Sequence, residues 1–297
     1  MSRFVDIDLS SQPKPDVVEA LDYESIKEQL VADAVERLNL AGIPYNVQAL
    51  ESDPVVKILE VCAYRELLLR QRVNDAARAV MLAYAYGTDL DNRGDYFGVK
   101  RDVVTPADPA NGISQVLELD DRFRERIQLA PEAFAAAGPE GAYQFHTYGV
   151  DPSIVDVAVI NPTPGHIHVL LLVNANDGQP GSDLLERVRA RLMEPKIKPL
   201  TDILTVRAPA KVAYAISANV RVGAGPDRTL VLSRAQASVA AYTASRRRIG
   251  YDVPLSGIIA ALHVAGIASV DLLSPTASIV PAGDEVAVVS SIAVSAP

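Results

Sequence analysis

The chain has 297 residues, of which 49% are hydrophobic and 5% aromatic, with no Trp and a formal net charge of −9. That length and apolar content are ample for one large or two to three small buried cores, packed mainly by Leu, Val, Ile and Ala. Net charge is −5 over residues 1–101, −5 over 102–150 and +1 over 151–297, which argues against nucleic-acid binding, because phosphate contacts need a basic face.

Residues 1–20 read as a flexible or extended arm. Pro13 and Pro15 disfavour a helix there, and MSRFVDIDLSSQPKPD lacks the apolar stretch of a secretory signal. Residues 21–101 read as a helical region. From Asp22 to Gly42, Ile26, Leu30, Ala34 and Leu38 share one helical face, Ser25 and Glu28 have capping-box spacing, and Gly42 suits the end. Pro44 to Ser52 is a connection.

The next segment is the most informative. Asp53 suits an N-cap, Pro54 the first helical position and Gly87 the residue past the last turn, with no Gly or Pro in between. The pattern predicts one helix over 53–87, roughly 50 Å long. A helix of that length usually packs along another long helix, often from a second chain. Val55, Leu59, Cys62, Leu69, Val73, Ala76, Val80 and Ala83 recur at steps of three and four, and Glu66 fills the gap. These nine positions are the candidate partner interface. Two roles fit Glu66 in such a seam: snorkelling to its edge, or pairing with a partner Arg to set register. The single Cys62 excludes an intramolecular disulfide, and its place in the stripe predicts a buried structural thiol.

After Gly87, Asp89, Asp91 and Asp95 suggest a calcium loop. Counted from Asp89, however, Arg93 and Lys100 fall on ligand positions, so caps and turns fit better. Residues 102–150 read as a loop and helical linker region. Its loop part, 102–118, contains two Pro and an Asn-Gly. A helix opens at Asp120 and Asp121, whose carboxylates suit the helix N-terminus. Pro131 breaks that helix, and Gly138-Pro139 precedes another ending near Gly149.

The pattern then becomes strand-rich. Residues 151–209 predict β-β-α-β: Ile154–Ile160, His166–Asn174, helix Leu184–Met193 and Ile203–Arg207. Residues 210–297 predict strand Tyr214–Val222, helices Leu230–Arg248 and Leu255–Val264, then strands Ala268–Leu273 and Glu285–Val294. The uncharged run Val253–Val270 is interrupted by Pro254, Gly257, His263 and Gly266, so it reads as a short buried helix, a turn and a strand, not a membrane span. Arg246, Arg247 and Arg248 read as a solvated helix end. The predicted fold class is α+β, with an N-terminal long-helix region followed by two small α+β domains.

No catalytic set emerges, and no cofactor is expected. His166 and His168 lie two apart on one strand face, a spacing that can bind zinc, but no third ligand is near in sequence. His263 reads as a core or edge histidine. No nucleophile elbow, zincin helix, redox Cys pair or phosphate loop is present, and Gly223 to Arg228 does not fit a dinucleotide fingerprint.

Several stretches, in order, resemble the baseplate J-like family of contractile-tailed phages. They are Leu21–Ile26, Glu51–Pro54, YRELLLRQRVNDAARAVMLAYAYGTDLDNRGDYFGVKR over Tyr64–Arg101, DDRFRERIQLAPEAF over Asp120–Phe134, and AGPEGAYQFHTYG over Ala137–Gly149. VDVAVINPTPGHIHVLLL and KPLTDILTV resemble it more loosely. The resemblance implies a structural wedge component, assembled in the host cytoplasm into the virion tail baseplate. Two copies would join a smaller wedge protein through a helical bundle. Further contacts would reach neighbouring wedges and tail tube or sheath-initiator proteins, with no nucleic acid and no membrane insertion. The same part in a phage-derived bacteriocin or other contractile injection device is an alternative. A metal-dependent hydrolase using His166 and His168 is another. A receptor-binding tail module fits poorly with so few aromatics.

Overall fold

The computed structural model describes Leu9 and residues 21–46, 52–134, 138–223, 225 and 227–296. Apart from Leu9, the arm expected over 1–20 lies outside the described residues. The described chain falls into two compact units, one up to Lys100 and one from Arg101 onward.

In the first unit, α1 spans Tyr23–Leu40. Its cap is Asp22, whose carboxylate accepts the N–H groups of Glu24 and Ser25 at 3.1 and 3.4 Å. The capping box expected at Ser25 and Glu28 is therefore displaced, because Ser25 is already helical while Asp22 has the extended backbone a cap requires. Gly42, at φ +76°, ends the helix: Gly42 donates its N–H to Asn39 O and Ile43 donates to Leu38 O, the paired bonds of a Schellman motif.

Helix α2 spans Pro54–Ala79, with Asp53 accepting from Val55 and Val56 and Pro54 in the first turn. It is 26 residues long, so the single helix expected over 53–87 is corrected at its C-terminal end. Past Ala79 the chain turns through Met81–Tyr84, and α3 spans Gly87–Tyr96. The bend buries Ala85, Leu90 and Val99. A straight helix would lose that arrangement, so tertiary burial overrides helix propensity. Gly87 opens α3 at φ +54° instead of closing α2. Asp89, Asp91 and Asp95 all lie within α3, not in a turn.

In the second unit, β1 (Val103–Thr105) and β2 (Val116–Leu117) pair antiparallel, so part of the loop expected over 102–118 is a hairpin. Helix α4 (Asp120–Leu129), a 3-10 turn from Ala130 and α5 (Glu140–Tyr148) follow, divided at Pro131 and Gly138-Pro139 as predicted. Next come β3 (Ile154–Thr163), β4 (His166–Val173), α6 (Ser182–Leu192) and β5 (Ile203–Arg207). The sheet order is β3-β4-β5, with β4 antiparallel to β3 and parallel to β5. Val157, Val169, Leu171 and Leu204 pack with Tyr143 of α5 and with Leu184, Val188 and Leu192 of α6.

The last sheet is built from β6 (Ala210–Val222), β7 (Ile267–Ser274) and β8 (Glu285–Ser295), in the order β7-β6-β8. Its central strand also has one antiparallel and one parallel neighbour, β7 and β8. Helices α7 (Arg228–Arg246) and α8 (Leu255–Leu262) cover one face, with Val231, Ala235, Val239, Ile258 and Leu262 on Tyr214, Ile216, Ala218 and Val220. The mixture of helices and small sheets is the predicted α+β class. Among the described residues no helix is long and apolar enough to cross a membrane; Val253–Val270 holds α8, a turn with Gly266 at φ +101°, and the start of β7.

Candidate assembly interface

Helix α1 packs along α2. The fully buried residues of α2 are Val56, Ala63 and Asn74. One residue step on a helix rotates the side chain by about 100°. Val55, Cys62 and Val73 each precede one of those buried positions, so the predicted stripe lies beside the face of α2 that the chain buries. Leu69 is 65% exposed and Val73 56%; Val55, Cys62 and Ala76 are exposed as well. Leu59 is half-buried. The expectation of a buried thiol is therefore corrected for the single chain: Cys62 is free and exposed, while the neighbouring Ala63 takes the buried position. Glu66 pairs with Arg70 of its own helix at 2.6 Å. Val80 is the exposed C-cap, and Ala83 lies half-buried in the following turn, so neither extends the helical stripe.

A second apolar strip was missed. Ile58, Val61, Tyr64 and Leu68 are also exposed. Their own steps of three and four carried the signal, which interleaved Arg and Glu residues obscured.

A buried charge cluster was also missed. The Glu118 side chain is 1% exposed and pairs with both Arg122 and Arg126. Asp102 Oδ2 lies 2.9 Å from Arg122 and 3.0 Å from Arg126, and the Asp102 N–H donates to Glu118 Oε1 at 3.0 Å. Arg122 donates onward to Tyr148 O and Asp151 O at 3.1 and 3.2 Å. Every charge here has an opposite partner, so the cluster fastens the hairpin to α4 and to the start of β3. Asp120 and Asp121 make no side-chain cap on α4; they pair with Arg101 and Arg124, each at 2.8 Å. The sequence clue was Glu118 four residues before Arg122, in phase with Arg126.

Arg246–Arg248 are likewise employed, not merely solvated. Arg246 donates to Asp252 O at 2.8 and 2.6 Å, Arg247 to Asn174 Oδ1 at 3.2 Å, and Arg248 lies 3.5 Å from Glu125. Burial would lower the Arg248 pKa, but the Glu125 and Asp156 carboxylates outweigh it and raise it. Burial pushes the Tyr148 hydroxyl well above its ordinary value, with Asp156 adding to the effect.

His166 and His168 sit on β4 beside Ile203 and Thr205 of β5. Among the described residues no three His, Cys, Asp or Glu side chains converge on a metal position. His168 Nδ1 is buried with no hydrogen-bond partner. His263 follows α8 as its C-cap.

The chain matches the Baseplate J-like N-terminal domain over residues 51–108, the Baseplate J-like central domain over 135–208 and the Baseplate J-like protein C-terminal domain over 214–295. It is 41% identical over 278 residues to baseplate protein J of Escherichia phage P2, covering 92% of each chain. It is similar, at a TM-score of 0.42 and 18% identity, to a chain in a cryo-EM structure of the anti-feeding prophage baseplate, 6-fold symmetrised; the match covers 62% of this chain and 46% of that one. With all three family domains matched in order and 41% identity sustained across nearly its whole length, the chain belongs to the baseplate J-like family.

Proposed function

We propose that this chain is a structural, non-enzymatic component of a contractile tail baseplate wedge. The observation that carries this reading is the 41% identity with a phage baseplate protein over 92% of both chains. In the proposal, α2 bundles with a second copy and with a smaller wedge protein, using Val55, Leu59, Cys62, Leu69, Val73 and Ala76. Glu66 lies at the seam, and Val80 and Ala83 lie at its end. The exposed apolar side chains on α2 support such a role, since they lack cover in the single chain. Six such wedges would close a ring around the tail tube, with neighbouring wedges and tube or sheath-initiator proteins as further contacts. The division into residues 21–101, 102–150, 151–209 and 210–297 belongs to the same reading. It assigns bundling to the first segment and contacts between wedges to the last two.

The test is co-expression with the smaller wedge protein, followed by light scattering on the purified material. A stable complex of two copies of this chain with one of the partner is expected. A monomer that ignores the partner would overturn the wedge assignment.

A further inference from the structure

Strands β4 and β6 are both central, yet their burial differs. In β6 the buried residues alternate, Tyr214, Ile216, Ala218 and Val220, as expected for a sheet covered on one face. In β4 the run Val169–Val173 is buried at every position. Continuous burial along a strand requires cover on both faces. Val169, Leu171 and Val173 face the core under α5 and α6. Leu170 and Leu172 belong to a separate buried cluster with Ile249 and Val286, and Val155, Ala158, Ile160 and Val288 pack against it. That second cover therefore comes from the C-terminal sheet and the strap after α7. Strand β8 shows the same division, with Val286 in this cluster and Ala287 in its own sheet's core.

Polar contacts ring the apolar contact. Asp156 Oδ2 accepts the Ile249 N–H at 2.7 Å, inside the joint. Arg207 of β5 pairs with Asp284 at 2.8 Å, Arg247 donates to Asn174 Oδ1 at 3.2 Å, and Gln179 donates to Pro209 O at 3.2 Å. Exposed ion pairs alone would contribute little. Fully buried Leu170, Leu172 and Val286 supply an apolar contact that a mobile hinge would repeatedly expose to water.

We infer that the β3-β4-β5 sheet and the β7-β6-β8 sheet form one rigid body, fused through Leu170, Leu172, Ile249 and Val286 and strapped by Arg247–Gly250. The inference stands apart from the wedge assignment, because it rests on packing within the single chain. It predicts that the two sheets keep a fixed mutual orientation in any assembly the chain enters.

The experiment is a spin-label distance measurement on the full chain. In a Cys62→Ser background, Ala190→Cys on α6 and Ala237→Cys on α7 carry the labels; both positions are exposed. One narrow distance distribution is expected. Leu170→Ala with Val286→Ala should broaden it about twofold, by loosening the joint. Arg247→Ala with Arg248→Ala keeps every core side chain and removes only exposed contacts, so it should leave the distribution narrow; circular dichroism unchanged in both double variants guards against simple misfolding. A broad or two-peaked distribution in the parent overturns the inference. A narrow one that survives Leu170→Ala with Val286→Ala, or that broadens only in the arginine variant, overturns the assignment of rigidity to this apolar joint.

Discussion

The Tyr45 hydroxyl donates to Asp53 Oδ1 at 2.6 Å, and the same oxygen accepts the Val55 N–H at 2.8 Å. One carboxylate oxygen thus caps α2 and holds the incoming chain. The Tyr45 hydrogen bond, helped by the backbone donors and opposed by desolvation, lowers the Asp53 pKa; the same bond pushes Tyr45 up to about 12. A carboxyl depressed in the folded state stabilises fully above its unfolded value, about 3.9, and loses that effect as pH falls through the folded value. Acidification should therefore fray the start of α2 first. Hydrogen exchange of residues 55–60 on descending below pH 4 checks this. Asp53→Asn should remove the pH dependence at that site, and Tyr45→Phe should reduce it; unchanged acid fraying in Asp53→Asn would assign the effect elsewhere.

Leu69 and Val73 give a direct test of the assembly surface. Both are more than half exposed, so Leu69→Asp with Val73→Asp should leave the monomer's thermal midpoint nearly unchanged. Complex formation with the smaller wedge protein should be abolished, because an unpaired charge in an apolar seam costs several kcal/mol. Ala63→Asp should behave in the opposite way. Ala63 is fully buried in α2, so the charge should disrupt the packing of α2 in the monomer itself. Native mass spectrometry beside circular dichroism separates the two effects. Normal assembly of the Leu69/Val73 double variant would remove α2 from the bundle.

These two cases show what was legible in the sequence. Asp53, Pro54 and Gly42 act locally, through caps and turns, and their placement could be read from residue type. The strands from Ile154 onward were readable because short runs rich in Val, Ile and Leu are bounded by turn residues such as those of Asn161–Gly165. The C-terminal end of α2 was not, since nothing between Ala79 and Gly87 breaks a helix; the bend follows from burying Ala85 and Leu90, a tertiary effect. Periodicity also identified an apolar stripe on α2 without revealing which positions the single chain would bury, so Cys62 was expected buried. The Glu118 cluster stayed hidden because its members, Asp102, Glu118 and Arg126, meet only after the hairpin closes.

Glu118 should be among the most sensitive polar positions. Its carboxylate lies between Arg122 and Arg126 with 1% of the side chain exposed. Glu118→Ala removes the carboxylate that both guanidiniums share, and breaking one side of a buried ion pair costs about 3 kcal/mol or more. Asp121→Ala, at a side chain 96% exposed, should change stability by less than about 0.5 kcal/mol. Urea unfolding of both variants gives the comparison. Equal, small effects would mean that the cluster is solvated and weak.

Gly257 tests the packing of α8 on α7. A Cβ added there would lie 2.0 Å from Tyr242 Oη and 2.5 Å from Cζ. The ring of Tyr242 must move for any larger residue to fit, and overpacking of this kind typically costs about 1–3 kcal/mol. Gly257→Ala should therefore lower stability, even though Ala is intrinsically better than Gly inside a helix by up to about 1 kcal/mol. Adding Tyr242→Ala removes the clashing ring and creates a gap, so the double variant should be less destabilised than the sum of the two single changes. The sign of that coupling, read from a double-mutant cycle in thermal unfolding, is the decisive quantity. Additive losses would show that Gly257 is required for a reason other than its approach to Tyr242.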